Sequence, residues 1–212
     1  MLYPKNAKPR IYLEPDQIDI FVDAIKGTDI EIPALLCLSS LRRSEMLALK
    51  WANVDMKNKI MHIQGAKVEG EHGLEYKPQN KTDKCRRTVP IIPPLYDALS
   101  KAPRTGEFVV TAPAITIFKH IKKICAAAGL PEVGMHGLRH SFASLAYHLQ
   151  IPEMIAAEIG GWNDLATMHN IYTHLAEKDI AKRGHQIVDY FGAEAIKTRK
   201  LATELATENK TP

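Results

Sequence analysis

Arg42, His136, Arg139, Trp162 and Tyr172 are the side chains of this 212-residue sequence whose types together suit work on a phosphodiester. Arginines can neutralise phosphate oxygens, a histidine can move a proton, an indole N–H can donate, and a phenol can attack. Arg42 precedes Glu45 by one helical turn, so the two can meet, although the same spacing describes an ordinary surface ion pair. Leu38, Leu41, Glu45 and Ala48 fall at helical spacing, which predicts one helix through this stretch with Glu45 interrupting its apolar face. A carboxylate there needs a partner. His136 and Arg139 fall at the start of a helix predicted to begin near Gly137, on the stripe Leu138, Phe142, Leu145 and Leu149. Such an end offers unpaired backbone N–H groups and the positive end of the dipole, a natural anion site. A capping histidine beside a surface arginine is the plainer alternative. Gly160-Gly161 reads as a tight turn, and Asn163 or Asp164 can cap the next helix, which carries Tyr172. In isolation that tyrosine can equally be a core aromatic.

The elements that would position these residues are mostly helical. Pro15 and Asp16 open a helix with the stripe Ile18, Phe21, Val22 and Ile25, closed by Gly27. A second helix is expected over about residues 32–39, and later ones over 93–101, 113–128 and 152–159. Helices are also expected around Tyr172, over 177–190 and over 194–208, the last polar with a disordered end. Between Trp51 and Ile92 the pattern changes to short β-favouring runs at Lys59–Gln64, Leu74–Pro78 and Arg86–Ile92. They predict a small antiparallel sheet of about three strands, with Lys81 at a hairpin tip in a polar, turn-prone connector. The fold class expected is mainly α with a small antiparallel β-sheet. Residues 1–12 read as an extended arm or linker remnant, 13–190 as the main domain and 191–212 as a helical tail.

Composition excludes several classes. No apolar run approaches the roughly 18 residues of a membrane-spanning helix, and the N-terminus lacks the apolar core of a secretory signal. Cys37, Cys85 and Cys125 are odd in number and widely spaced, which argues for a reducing compartment and against a disulfide framework or zinc cluster. Net charge is only +4. The basic residues are clustered, however: Lys77, Lys81, Lys84, Arg86 and Arg87 form one group, and Lys119, Lys122 and Lys123 another. Such groups can neutralise a nucleic-acid backbone or can be a solvated face. His136-x-x-x-His140 could place two metal ligands on one helix face, but no carboxylate or thiol set completes a metal site.

Four motifs in order resemble the catalytic domain of the tyrosine recombinases, the phage-integrase family. They are Leu41-Arg42-Arg43-Ser44-Glu45, the hairpin segment from Lys81 to Pro90, His136-Gly137-Leu138-Arg139-His140-Ser141, and Gly161-Trp162 followed by Tyr172-Thr173-His174. The likeness runs from about residue 13 to about residue 181. It implies that Tyr172 is the nucleophile, Arg42 and Arg139 the phosphate-binding pair, and His136 and Trp162 further donors. Lys81 would be the leaving-group acid, with Lys84 the alternative, and Glu45 a supporting acid. Ser40 departs from the glycine that often precedes the first motif, a change expected to be tolerable in a helix. The activity implied is site-specific DNA recombination. Tyr172 would form a 3′-phosphotyrosine and release a 5′-hydroxyl, with no metal, cofactor or ATP. A topoisomerase-like nicking and closing enzyme shares this chemistry, and a catalytically silent DNA-binding regulator shares the fold. The implied partners are double-stranded DNA and further copies of the chain, a tetramer on DNA, with the isolated domain monomeric. The implied location is the cytoplasm of a prokaryotic or phage-infected cell. Family members usually carry an N-terminal DNA-clamping domain, and the Pro/Lys-rich start resembles the linker to one. That implies a shortened chain or an unusually minimal protein.

Overall fold

The computed structural model describes residues 11–70, 73–78, 87–162, 165–192, 196–198 and 200–201. It divides into two compact units, Met1–Tyr172 and Thr173–Pro212. The first is organised around α2 (Glu31–Leu38), in which Pro33 through Leu38 are all buried. A helix that is apolar all round belongs at the centre of a core. Around it pack α1 (Pro15–Ile25), α4 (Pro93–Lys101), α5 (Ala114–Ala127) and α6 (Met135–His148).

Local chemistry sets the ends of these helices. Pro15 fits the first turn of α1, the Glu14 backbone N–H is taken by Gln17 Oε1 at 3.0 Å, and Gly27 leaves the helix at φ +73°. The side chains of Ile18, Phe21 and Ile25 carry α1 into the core. Leu13, just before α1, is fully buried and its N–H donates to Ser141 Oγ on α6 at 2.8 Å. Leu13 is the residue at which the main domain was expected to begin, and residues 1–10 of the expected linker lie outside the described residues. The expected helix through Leu38 to Ala48 is broken. Beyond α2 the chain turns through Ser39 to Arg42, and a separate short helix, α3 (Arg43–Ala48), follows.

The β-rich part is two sheets rather than one. β1 (Val54–Asp55), β2 (Ile60–Ile63) and β5 (Arg87–Pro90) form an antiparallel sheet in the order β1-β2-β5. Its register pairs Met61 with Val89 and Ile63 with Arg87, and Met61, Ile63 and Val89 turn inward. The expected strand at Leu74–Pro78 is found as β4 (Gly73–Pro78), but it pairs with β3 (Gly65–Gly70). That partner was hidden by its own glycines. Gly65 is required there because a Cβ would lie 2.5 Å from the Tyr76 ring on the facing strand. The β3–β4 hairpin packs on α3, and Lys67 and Tyr76 on it meet the Phe108 ring.

After α6, α7 (Glu153–Gly160) leads to α8 (Leu165–Phe191). α8 is continuous where two helices had been expected, and the expected caps Asn163 and Asp164 lie outside the described residues. The second unit begins within α8. It contains the rest of that helix and helical residues at 196–198 and 200–201, with Val188, Tyr190 and Phe191 exposed. The remainder of the expected helix over 194–208 falls outside the described residues. Among the described residues no helix is long and apolar enough to cross a membrane.

Replacing Gly65 with Ala should force the Tyr76 ring off β3 and destabilise the protein by about 1–3 kcal/mol. Urea denaturation measures this, and an unchanged midpoint would contradict the close approach.

Candidate active site

The site is built where two helices end. α2 closes with Ser40 in the left-handed conformation (φ +68°), its N–H bonded to Cys37 O and the Leu41 N–H to Leu36 O. α7 closes in the same way on Gly161 (φ +64°), with Gly161 N–H on Glu158 O and Trp162 N–H on Ala157 O. In this cap a left-handed residue follows the helix, and glycine is favoured because it has no Cβ to clash. Ser40 is therefore not in a helix, and its conformation costs about 1–2 kcal/mol. Its hydroxyl gives something back. It accepts the Trp162 indole N–H at 3.2 Å and reaches Gly160 O at 3.4 Å.

The carbonyls of these two cap residues hold the arginines. Arg139, on the first turns of α6 and only 2% exposed, donates Nη1 to Ser40 O and Nη2 to Gly161 O at 3.4 Å. Arg42, just before α3, donates Nη2 to Gly161 O and Nη1 to Glu45 Oε1 at 2.7 Å. Glu45 Oε2 also accepts the Arg42 backbone N–H at 2.8 Å, which caps α3. The sequence reading paired Arg42 with Glu45 on a continuous helix face. The pair forms instead around the N-terminus of a new helix.

A third guanidinium completes the cluster. Arg87, expected among the DNA-backbone contacts, has a side chain only 9% exposed. Its Nη1 and Nη2 donate to the two oxygens of Glu45 at 3.0 and 2.9 Å. Nothing in the local sequence near Glu45 announces this partner. The signal was the unmet need of a buried carboxylate for a cation. Burial alone would raise the Glu45 carboxyl, but the hydrogen bonds and charge of Arg87, joined by Arg42, outweigh it and hold it at about 2. Arg139 is pushed down to about 9, first by burial and then by the positive charge of Arg42. It still carries its charge at neutral pH. Three guanidinium groups around one carboxylate leave an excess of positive charge. Arg42, whose side chain is 35% exposed, keeps N–H groups open to an incoming anion.

Aromatic rings line the same place. Trp162 lies under the Arg139 guanidinium, 4.4 Å from ring centre to Cζ, and 5.4 Å from the His140 ring. His140 in turn meets the edge of His136 at 4.8 Å. His136 is exposed in the first turn of α6, which starts two residues earlier than expected.

Tyr172 is held apart from the arginines. Its hydroxyl donates to Ile151 O at 3.0 Å, just beyond the end of α6, and its ring meets Tyr147 edge-on at 5.5 Å. Burial, then the nearby Glu153 carboxylate, pushes its phenol up to about 12. The structure thus brings together Arg42, Glu45, Arg139 and Trp162, with His136 reaching Trp162 only through the His140 ring, while the Tyr172 hydroxyl bonds to Ile151 instead.

The remaining basic candidates divide. Lys77 on β4 and Lys119 and Lys123 on α5 are exposed, whereas Lys122 pairs with Glu132 at 2.5 Å. Lys81, Lys84 and Arg86 lie outside the described residues.

The phage integrase family model matches residues 12–179, and the chain belongs to that family. It is 26% identical over 208 residues to a XerC-like tyrosine recombinase of Caldanaerobacter subterraneus, covering 83% of this chain and 53% of that one. It is 24% identical over 196 residues to the integrase of Salmonella phage P22, covering 89% and 50%. The chain thus spans about half the length of these relatives. Its fold is shared with the Tn1549 transposon integrase solved with circular intermediate DNA, at TM-score 0.68 and 18% identity over 86% of this chain and 68% of that one. It is shared also with the XerA recombinase, at TM-score 0.62 and 21% identity over 87% and 66%.

The Glu45 carboxyl sits lower in the folded protein than its ordinary value of 4.5. Its contribution to stability is therefore complete above about pH 4.5 and is lost as pH falls toward about 2. That contribution is on the order of 3 kcal/mol. In Glu45→Gln, stability from urea melts should vary less with pH across this window than in the parent. Parallel pH curves would show that the carboxylate is not held as described.

Proposed function

We propose that the chain is the catalytic part of a site-specific DNA recombinase that breaks and rejoins strands through Tyr172. The observation that carries this reading is the arginine pair, buried Arg139 and half-exposed Arg42, fixed around helix-cap carbonyls and Glu45 with positive charge to spare. Family membership supplies the substrate class. DNA is also the ligand in the solved complex of the Tn1549 integrase.

The chemistry follows from the groups present. A scissile phosphate seated on Arg42 and Arg139 places its non-bridging oxygens against guanidinium N–H groups. Charge accumulates there as the phosphorus becomes five-coordinate. The arginines need no rearrangement for this, since carbonyls and Glu45 already orient them. His136 and the indole of Trp162 donate to the same oxygens. The indole exchanges its bond to Ser40 to do so.

Tyr172 must first leave the Ile151 carbonyl. Its oxygen then attacks phosphorus and gives up its proton, with His136 the candidate to carry it. The bond to the 5′-oxygen breaks, and Lys81, or Lys84, returns a proton to it. The products are a 3′-phosphotyrosine and a free 5′-hydroxyl, so the phosphodiester energy is retained. Attack by a 5′-hydroxyl of another duplex reverses the step and completes strand exchange without ATP. Exchange needs several copies on the DNA, four if the family arrangement holds.

Incubating the protein with nicked duplexes carrying candidate sites, with EDTA present, should trap DNA on a peptide containing Tyr172, identified by mass spectrometry. Tyr172→Phe should form no adduct, bind DNA as the parent does, and lose only about 1 kcal/mol of stability with its hydrogen bond. An adduct formed by the Phe variant, or on another tyrosine, would overturn the assignment. Relaxation of a plasmid without strand exchange would instead identify a nicking and closing enzyme.

A further inference from the structure

Arg87 is where the supports of the two phosphate-binding arginines meet. Its guanidinium grips both oxygens of Glu45, the carboxylate that orients Arg42. The same Nη2 reaches Ser40 O at 3.4 Å, the carbonyl that receives Arg139. Gly161, whose carbonyl receives both Arg42 and Arg139, lies against it. A Cβ on Gly161 would sit 2.6 Å from Arg87 Cζ. Thus a single buried, planar cation bonds Glu45 and the Ser40 carbonyl and packs against Gly161, the third residue that holds the pair. Its Nε is buried without a hydrogen-bond partner among the described residues, and the bonds that orient the group run through its two terminal nitrogens. Arg87 is also the first residue of β5, paired across to Ile63 on β2, so its backbone is fixed by a sheet. The segment running into that strand carries Lys81.

We propose that Arg87 is a positioning residue: it touches no substrate, but sets Arg42 and Arg139 at one spacing and ties them to the strand that follows the Lys81 segment. This rests on the recombinase reading for its consequence in catalysis, though not for the positioning itself. Lysine cannot replace it, because an ammonium is a point donor and cannot hold both carboxylate oxygens and the Ser40 carbonyl in one plane. A misplacement of this kind far from the reacting atoms is worth about 10²-fold in rate.

The test separates positioning from catalysis. In the absence of DNA, Arg87→Lys is labelled with phenylglyoxal and the modified arginines are mapped by mass spectrometry, with exposed Arg43 as internal control. Labelling of Arg42 should rise severalfold while that of Arg43 stays unchanged. Equal Arg42 labelling in variant and parent would overturn the proposal, whatever the protein does to DNA.

Cleavage of a nicked duplex at saturating protein should then fall about 10²-fold in Arg87→Lys, with DNA affinity and its salt dependence unchanged. A weaker salt dependence, by about one unit of slope, with unaltered cleavage would make Arg87 a backbone contact instead. Absence of any adduct with the parent protein would sink the recombinase reading alone, because the labelling result stands without it. If Arg87→Lys does not fold, Arg87→Met with Glu45→Gln removes both partners of the buried ion pair together and replaces it, compared with Glu45→Gln alone. Arg42 labelling must then be higher in the double variant, and equal labelling again overturns the proposal.

Discussion

The carboxylate of Glu45 is fully buried and shared between Arg42 and Arg87. An isolated ion in such a place would cost several kcal/mol, and pairing alone seldom recovers that. Here each oxygen accepts more than one charged or backbone donor. The result is a carboxylate that stays ionised and three arginines that cannot spread apart. The break between α2 and α3, the cap of α3 and the start of β5 all converge on it. Removing the negative charge would leave neighbouring guanidinium groups repelling one another in a poorly hydrated space.

Helix ends supply the rest of the cradle. The carbonyl end of a helix carries partial negative charge. The caps of α2 and α7 direct the Ser40 and Gly161 carbonyls onto arginine side chains. The arginine cluster proposed to seat the phosphate is thus preassembled from groups whose positions are fixed by backbone geometry. The proposed nucleophile is arranged differently. Tyr172 rests its proton on the carbonyl just beyond α6, where its phenol is harder to ionise than in water. The arginine cluster and the Tyr172 hydroxyl are therefore separate in the structure, and the reaction proposed for them requires that the tyrosine be brought across.

Much of this was legible in sequence where local rules decide. Pro15 and Gly27 marked the ends of the first helix because capping is a property of a few consecutive residues. His136 and Arg139 were placed at a helix start by the stripe that follows them. Arg42 and Glu45 were paired by their spacing, although the spacing was read on a helix that does not exist there. Ser40 was misread for the same reason: a serine in the left-handed conformation looks like any helical serine until its contacts with Trp162 and Gly160 are known. Arg87 was misplaced because its partner is distant in sequence, and a basic residue within a basic run reads as surface. β3 was missed because its glycines, which make room for Tyr76 and for Glu75 across the hairpin, look like loop punctuation. The joining of the last helices into α8 escaped because the sequence between Tyr172 and Glu177 has too thin an apolar stripe to show continuity.

The most direct measurement of this account is the ionisation of Glu45 itself. Carbon NMR of protein labelled at the glutamate δ-carboxyl, with the Glu45 signal assigned from Glu45→Gln, would follow it from neutral pH downward for as long as the protein stays folded. The account predicts that Glu45 remains ionised through the range in which exposed glutamates titrate, with its own midpoint near 2. A midpoint at or above the ordinary glutamate value would mean that the carboxylate does not hold the arginines, and the preassembled phosphate site would fall with it.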